Sequence, residues 1–387
     1  MSASRLHVRP VVPEAIRLRP VVLAMIAGAM AVGSARPAVA QTLRGQVFEE
    51  GTESAIAGAL VLLVSPDGEE AASAVSGGTG AYVIRVPGPG EWSLRVERIG
   101  FASSTAGPFR LATGADRTVP LAVSSVPVAL PTITVESQKT GVCGLDPEEG
   151  ETVWRLWDEV RKALQVSEII EGAIVFETEV LERFVDPFDT TLGREHTDFI
   201  TAVGQSPFNV PSPEDLQQRG FVRDSLGGRL AFYGPDATVL LSDTFQETHC
   251  FHAVRGNDGL VGLAFEPAQA PVRPDIRGTL WIDGATSELR TIDFEYDGLR
   301  DTRNLGIGPE ASGLVAYDRI ENGGWIVRLW RIRVPVDSRS YGGRTYKVYR
   351  ERSGRVTGTR EYEQKATSRQ PAPSVYDHRA RRDTTSP

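Results

Sequence analysis

The chain is short of cysteine, histidine, lysine and catalytic signatures, and each shortage narrows what it can be. Only Cys143 and Cys250 occur in 387 residues, too few for a multi-bridge scaffold or a thiolate-rich metal cluster. Five histidines are present, and a zinc carboxypeptidase would need one of them in a His-x-x-Glu pair. The residues three positions after them are Pro10, Phe199, His252, Arg255 and Arg381, so that motif is missing. Serine-hydrolase elbows, S-x-x-K, H-E-x-x-H and P-loop motifs are missing too, which removes the commonest hydrolytic and nucleotide chemistries. No motif implies a cofactor. Lysine and arginine together number 42 against 50 acids, a net charge of −8, the wrong sign for nucleic-acid binding, which relies on phosphate neutralisation. The longest uninterrupted apolar run, Val21 to Gly33, has 13 residues, short of the roughly 20 that span a bilayer as a helix.

That run follows Arg5, Arg9, Arg17 and Arg19 and precedes Ala38-Val39-Ala40. The order basic, apolar, small-x-small predicts a signal peptide over residues 1–40, leaving Gln41 first in the mature chain. The leader holds five of the 42 basic residues and one of the 50 acids, so its removal takes the net charge from −8 to −12. The expected location is the periplasm or the periplasmic face of an outer membrane, with secretion as the alternative. In an oxidising compartment Cys143 and Cys250, 107 positions apart, are expected to pair. Cys250 sits in "ETHCFH" (Glu247 to His252), which could also be half of a metal site or a thiol with its base. As a strand, this segment would send His249 and Phe251 to one face and Cys250 and His252 to the other, separating the two histidines.

Residues 43–123 read as short strands between turns: "LRGQVFEE", "IAGALVLLVS", "AYVIRV", "WSLRVERIGF" and "RTVPLAV". In the fourth, Trp92, Leu94 and Val96 alternate with Ser93, Arg95 and Glu97, the period of a half-buried strand. Strands at these intervals without helices predict an antiparallel sandwich. Gly45, Val47, Ala59, Val61, Gly80, Tyr82, Ile84, Pro87, Gly90, Trp92, Leu94, Val96, Gly100 and Phe101 fall in an order and spacing that resembles the carboxypeptidase regulatory-like domain. The resemblance covers about 80 residues. It implies a seven-stranded, transthyretin-type Greek-key sandwich, related to carbohydrate-binding-like folds, that is a non-catalytic accessory. "VPVALPTITVES" (Val126 to Ser137) is similar to the segment that joins such a sandwich to the plug of TonB-dependent receptors, and is expected to be a linker over residues 126–142.

After Cys143, "LDPEEGETVWRLWDEVRKALQV" predicts one amphipathic helix. Asp146 and Pro147 suit its start, and Val153, Leu156, Trp157, Val160 and Leu164 form one apolar stripe. From 172 to 365 the pattern, including "ATVLLSD" and "TFQETHCFHAV", is expected to be mainly strand. "GTLWIDGATSELRTIDFEY" is the clearest hairpin, with Ile292, Phe294 and Tyr296 alternating against Thr291, Asp293 and Glu295. It resembles a hairpin of lipoprotein-carrier-type envelope proteins. The expected architecture is thus mainly β, with a sandwich over 41–125 and a helix on a large curved antiparallel sheet over 143–365. Residues 366–387 lack apolar periodicity and are expected to be a disordered tail.

Three surface features invite chemistry. Arg344, Tyr346, Lys347, Tyr349 and Arg350 interleave cations with aromatics, a candidate surface for a glycan, a polyanion or a protein partner. Asp293, Glu295 and Asp297 share a strand face that could touch Ca²⁺. Asp186, Asp189, Glu195, His196 and Asp198 place carboxylates near a histidine, the ingredients of general acid–base work, although a solvated loop uses the same residues. The expected function is that of a non-enzymatic envelope protein whose two domains bind a partner or ligand. The rivals are a periplasmic carrier of lipid or lipoprotein in a half-barrel, and a hydrolase with an unrecognised site.

Overall fold

The computed structural model describes residues 41–124, 143, 147–186, 196–203, 210–225, 229–299, 311–320 and 323–361. The expected leader, linker and tail lie outside these residues. The N-terminal part contains two four-stranded sheets. One runs β4 (Ala81–Val86), β1 (Gln41–Glu49), β7 (Asp116–Thr118), with β8 (Leu121–Val123) also on β1. The other runs β3 (Glu70–Val75), β2 (Leu60–Val64), β5 (Gly90–Glu97), β6 (Ser104–Leu111). Eight strands therefore replace the expected seven. "RTVPLAV" breaks into β7 and β8 at Pro120, which has no N–H for a ladder, and both pieces pair parallel to β1. Leu43, Val47, Val61, Leu63, Tyr82, Ile84, Leu94 and Val96 fill the space between the sheets. Tyr82 donates its hydroxyl to the Val119 carbonyl at 2.6 Å, so the buried phenol keeps a partner. Gly80 holds a positive φ of 75° and approaches the Val47 carbonyl closely, where a Cβ would collide, hence glycine there.

β2, "LVLLV", is apolar throughout, and the packing shows why. Val61 and Leu63 face the sandwich interior, whereas Leu60 and Leu62 face away and join the larger core. A strand covered on both faces has no polar side to alternate. Its cover is helix α1 (Pro147–Ala173). Leu156, Val160 and Leu164, from the expected stripe, are buried. The helix differs from expectation in two ways. It continues through "SEIIEGA" to Ala173, and it is packed on two sides, between the sandwich and the second domain.

The second side is a nine-stranded antiparallel sheet in the order β10 (His196–Val203), β9 (Ile174–Val185), β19 (Arg344–Glu361), β18 (Trp325–Tyr341), β17 (Ser312–Arg319), β16 (Leu289–Asp297), β15 (Asp275–Asp283), β14 (Leu260–Pro267), β13 (His249–Arg255). The last strand thus returns beside the first long one, β9. The expected β15–β16 hairpin forms. Asp283 Oδ1 accepts the amides of Ala285 and Thr286 in its turn, while Ile292, Phe294 and Tyr296 are buried. A two-stranded ribbon, β11 (Val222–Ser225) with β12 (Arg229–Phe232), lies outside the sheet.

The described residues hold three further helices where strand or irregular chain was expected: α2 (Pro213–Arg219), α3 (Ala237–Leu241) and α4 (Asp243–Thr248). Their starts are chemically marked. Ser212 Oγ accepts the Asp215 amide, Asp236 Oδ1 the Val239 amide at 2.9 Å, and Ser242 Oγ the Phe245 amide. Side-chain caps outweigh the strand preference of Thr238, Val239 and Phe245, because caps satisfy amides that a first turn leaves unbonded.

Candidate functional site

"ETHCFH" begins at the end of α4 and becomes the edge strand β13, and alternation decides the fate of each side chain. Cys250 is bonded to Cys143. His249 points inward and stacks on Phe245, their ring centroids 3.8 Å apart. Phe251 lies on that same side against Phe245 and Trp157, and His252 lines the opposite face of the sheet. The two histidines do not converge. Nδ1 of His249 meets Thr248 Oγ1 and the Phe245 carbonyl, both at 3.1 Å. Nε2 lies 3.4 Å from Asp275 Oδ1 without a hydrogen bond. Both residues line a cleft of about 140 Å³ walled by Leu216, Phe221, Val239 and Pro274.

The side of the large sheet that faces α1 is filled. Phe176, Phe265, Leu280, Ile292, Val315 and Trp325 are all at most 2% exposed. Two acids are enclosed there. Burial pushes the Glu171 carboxyl up to about 7, against the opposing bonds from the Val327 amide and the Ser167 hydroxyl. Burial likewise lifts Asp236 to about 6. Tyr317, raised well above its ordinary range by burial and by these two acids, has no partner for its hydroxyl among the described residues.

The opposite, outer face is polar and open. Cross-strand register, which sets same-face neighbours, lines up Thr279, Asp293, Leu314, Arg331 and Ser353 in one row. A second row runs Arg277, Glu295, Ser312, Arg333, Glu351, Arg183, so acids and bases alternate across six strands. Arg183 closes on Glu351 at 2.8 Å, Arg277 binds Asp297, and Arg333 lies over the Tyr349 ring, 4.2 Å from its centroid. These rows floor a groove of about 470 Å³ that His252, Thr279, Asp293, Leu314, Arg331 and Arg333 help to line. Trp281 donates its indole N–H to Asp293 at 2.9 Å. Desolvation raises the Asp293 carboxyl, opposed by that bond and by the charge of Arg331.

The Arg/Tyr candidates do not form one patch. All lie on β19, where alternate residues take opposite faces. Lys347 and Tyr349 share the outer face with Glu351. Tyr346 and Arg350 share the other with buried Val348, and Arg350 reaches the Leu230 carbonyl at 3.4 Å. The side chain of Arg344 lies outside the described residues. Of the acid clusters, Asp293, Glu295 and Asp297 do share the outer face, but Asp293 and Asp297 are already engaged by Trp281 and Arg277. His196 meets Asp198 on exposed β10 at 3.1 Å, while Asp189 and Glu195 lie outside the described residues. Arg331 and Arg333 escaped sequence reasoning, although "WRIRV" in β18 carries the signal. Its apolar residues alternate with arginines, placing both guanidinium groups on the side away from the core.

The contact between the two parts of the chain is ionic as well as apolar. Glu159 Oε2 accepts the Gly100 amide at 2.6 Å, and its Oε1 binds Lys162 Nζ at 2.7 Å. Lys162 also meets Asp158 and the Phe101 carbonyl. Arg161 joins Asp158 to Glu97 of β5, both at 2.8 Å.

Residues 42–124 match the model of the carboxypeptidase regulatory-like domain. The N-terminal sandwich is a regulatory-like domain. The match ends where β8 ends, so the helix and the nine-stranded sheet lie beyond it. A chlorocatechol 1,2-dioxygenase of Pseudomonas putida is similar over 22% of this chain and 60% of its own, with 16% identity and a TM-score of 0.18. A candidate carbohydrate-binding protein of Bacteroides uniformis is similar over 74% of this chain and 93% of its own, with 9% identity and a TM-score of 0.20. A 9R-lipoxygenase of Cyanothece is similar over 87% of this chain and 46% of its own, with 11% identity and a TM-score of 0.19. None of the three supplies an argument about this chain's chemistry. The comparison with curated proteins gives no match. No helix among the described residues is long and apolar enough to cross a membrane.

Proposed function

We propose that the chain is an exported, non-enzymatic envelope protein that binds a partner through the outer face of its nine-stranded sheet. The regulatory-like domain is fixed to that sheet through α1. One observation carries the reading: the α1 side of the sheet is closed by packed side chains apart from the cleft of about 140 Å³ beside His249, while the opposite side is an open groove of about 470 Å³ floored by rows of polar and charged side chains. An acyl-chain carrier needs the reverse, an apolar hollow between sheet and helix. Recognition on such a face comes from complementary charge and hydrogen bonding, which favours selectivity more than raw affinity.

The test is co-sedimentation of the mature chain with isolated cell-envelope material. The wild type is expected to pellet with the envelope, and Arg331→Glu with Arg333→Glu is expected to leave it in the supernatant, while circular dichroism shows that the fold is kept. A double variant that pellets like the wild type would remove the outer face from the function. Bound lipid in native mass spectra of the purified protein would turn the reading toward the carrier.

A further inference from the structure

On the outer face one aromatic side chain is set apart from the core and held flat. Trp281 projects from β15 opposite Gly262 of β14. A Cβ at Gly256 or Gly262 would stand 2.7 or 2.8 Å from Cζ3 of the indole, so that edge of the ring lies against two positions that carry no side chain. The other end of the ring reaches across to β16, where Nε1 bonds Asp293 Oδ2 at 2.9 Å. The indole thus lies along the sheet, anchored at both ends and partly exposed. An aromatic face is electron-rich and suits the electropositive C–H face of a pyranose ring.

The groove beside it supplies both signs of hydrogen bonding. Asp293 and Glu295 are acceptors, Thr279 is both donor and acceptor, and Arg331 is a donor two strands further on, roughly 10 Å along the row. Arg331 is exposed and makes no ion pair among the described residues, in contrast to Arg277 and Arg183. Acid and base balance along the groove, so an anionic ligand would meet Asp293 and Glu295, and a cationic one Arg331 and Arg333. A ligand rich in hydroxyls, with an apolar ring face and no net charge, meets neither penalty.

We propose that this face holds a subsite for a neutral oligosaccharide, with Trp281 as stacking platform and Asp293 and Arg331 as its hydroxyl partners. The proposal rests on the outer face being the binding surface and adds the class of ligand. Calorimetric titration of the mature chain with cellopentaose, chitopentaose and mannopentaose, against polygalacturonate as an anionic control, tests it. Saturable binding of at least one neutral pentasaccharide is expected. Trp281→Ala should weaken it by about tenfold or more and Trp281→Phe by less. Arg331→Leu, at an exposed position, should also weaken it, by roughly tenfold for a lost charged hydrogen bond. Urea midpoints of each variant check that the fold is kept. The proposal is overturned by no saturable binding of any neutral probe, by Trp281→Ala and Arg331→Leu binding as the wild type does, or by preferred, salt-sensitive binding of polygalacturonate. If neutral sugars fail while the Arg331/Arg333 variant still loses the envelope, the binding surface stands and only the ligand class falls.

Discussion

Lys162 offers the sharpest test of how the regulatory-like domain is held. Its side chain is 2% exposed and touches Glu159, itself 1% exposed, together with Asp158 and the Phe101 carbonyl. Burial alone would lower the Lys162 ammonium, yet Glu159 and Asp158 outweigh it and raise it above its ordinary value. Replacing Lys162 with Met leaves the Glu159 carboxyl in the interface without its cation, where the Gly100 amide still donates to it. Breaking such a pair from one side costs about 3–5 kcal/mol, whereas removing both charges costs far less. Lys162→Met is therefore expected to lower the unfolding free energy by about that amount in urea titration, with Lys162→Met/Glu159→Gln recovering most of it. With Glu159→Gln measured alone, the loss in the double variant minus the sum of the two single losses gives the coupling. A single-variant loss below about 1 kcal/mol, the range of exposed pairs, would show that this contact is solvated and refute the docked arrangement.

Other perturbations follow from the same structure. Glu171, held near 7 against an ordinary 4.5, is neutral in the folded protein at acid pH. Stability is then full below 4.5 and falls as pH rises through 7, by on the order of 3 kcal/mol for a shift of this size. Thermal unfolding from pH 5 to 8 should show that fall, and Glu171→Gln should reduce it to the smaller part that Asp236, lifted to about 6, contributes with the same sign; an unchanged slope contradicts the assignment. Cys143→Ser opens a loop with a separation of 107 residues, worth about 5 kcal/mol in the chain-entropy account, to be read from the urea midpoint under non-reducing conditions. Tyr82→Phe removes the bond to the Val119 carbonyl and should cost about 1 kcal/mol; no change in the unfolding of the regulatory-like domain would count against that bond.

Local periodicity revealed the sandwich strands, the apolar stripe of α1 and the β15–β16 hairpin, because each depends on neighbours a few positions away. What it concealed depends on distant partners. Glu159 and Lys162, three apart on a helix, carry no local mark of burial, and the arrival of Gly100 and Phe101 encloses them. The continuous run in β2 did carry a signal, since a strand with no polar face needs cover on both sides. In α3 and α4 the signal was Asp236 and Ser242, whose capping competes with strand-forming neighbours. The Arg/Tyr segment drew notice by composition, but strand alternation divides it between two faces. The surface assembled by the fold instead combines Asp293, Arg331 and Arg333 from β16 and β18, with a sequence separation that no local pattern bridges.

The most direct test of the central claim is site-specific photocrosslinking in intact envelopes. A photoreactive residue at Leu314, on the outer face, should yield a discrete adduct, and one at Val83, 62% exposed on the regulatory-like domain, should not. Adducts from Val83 with none from Leu314 would contradict the assignment of binding to the nine-stranded sheet.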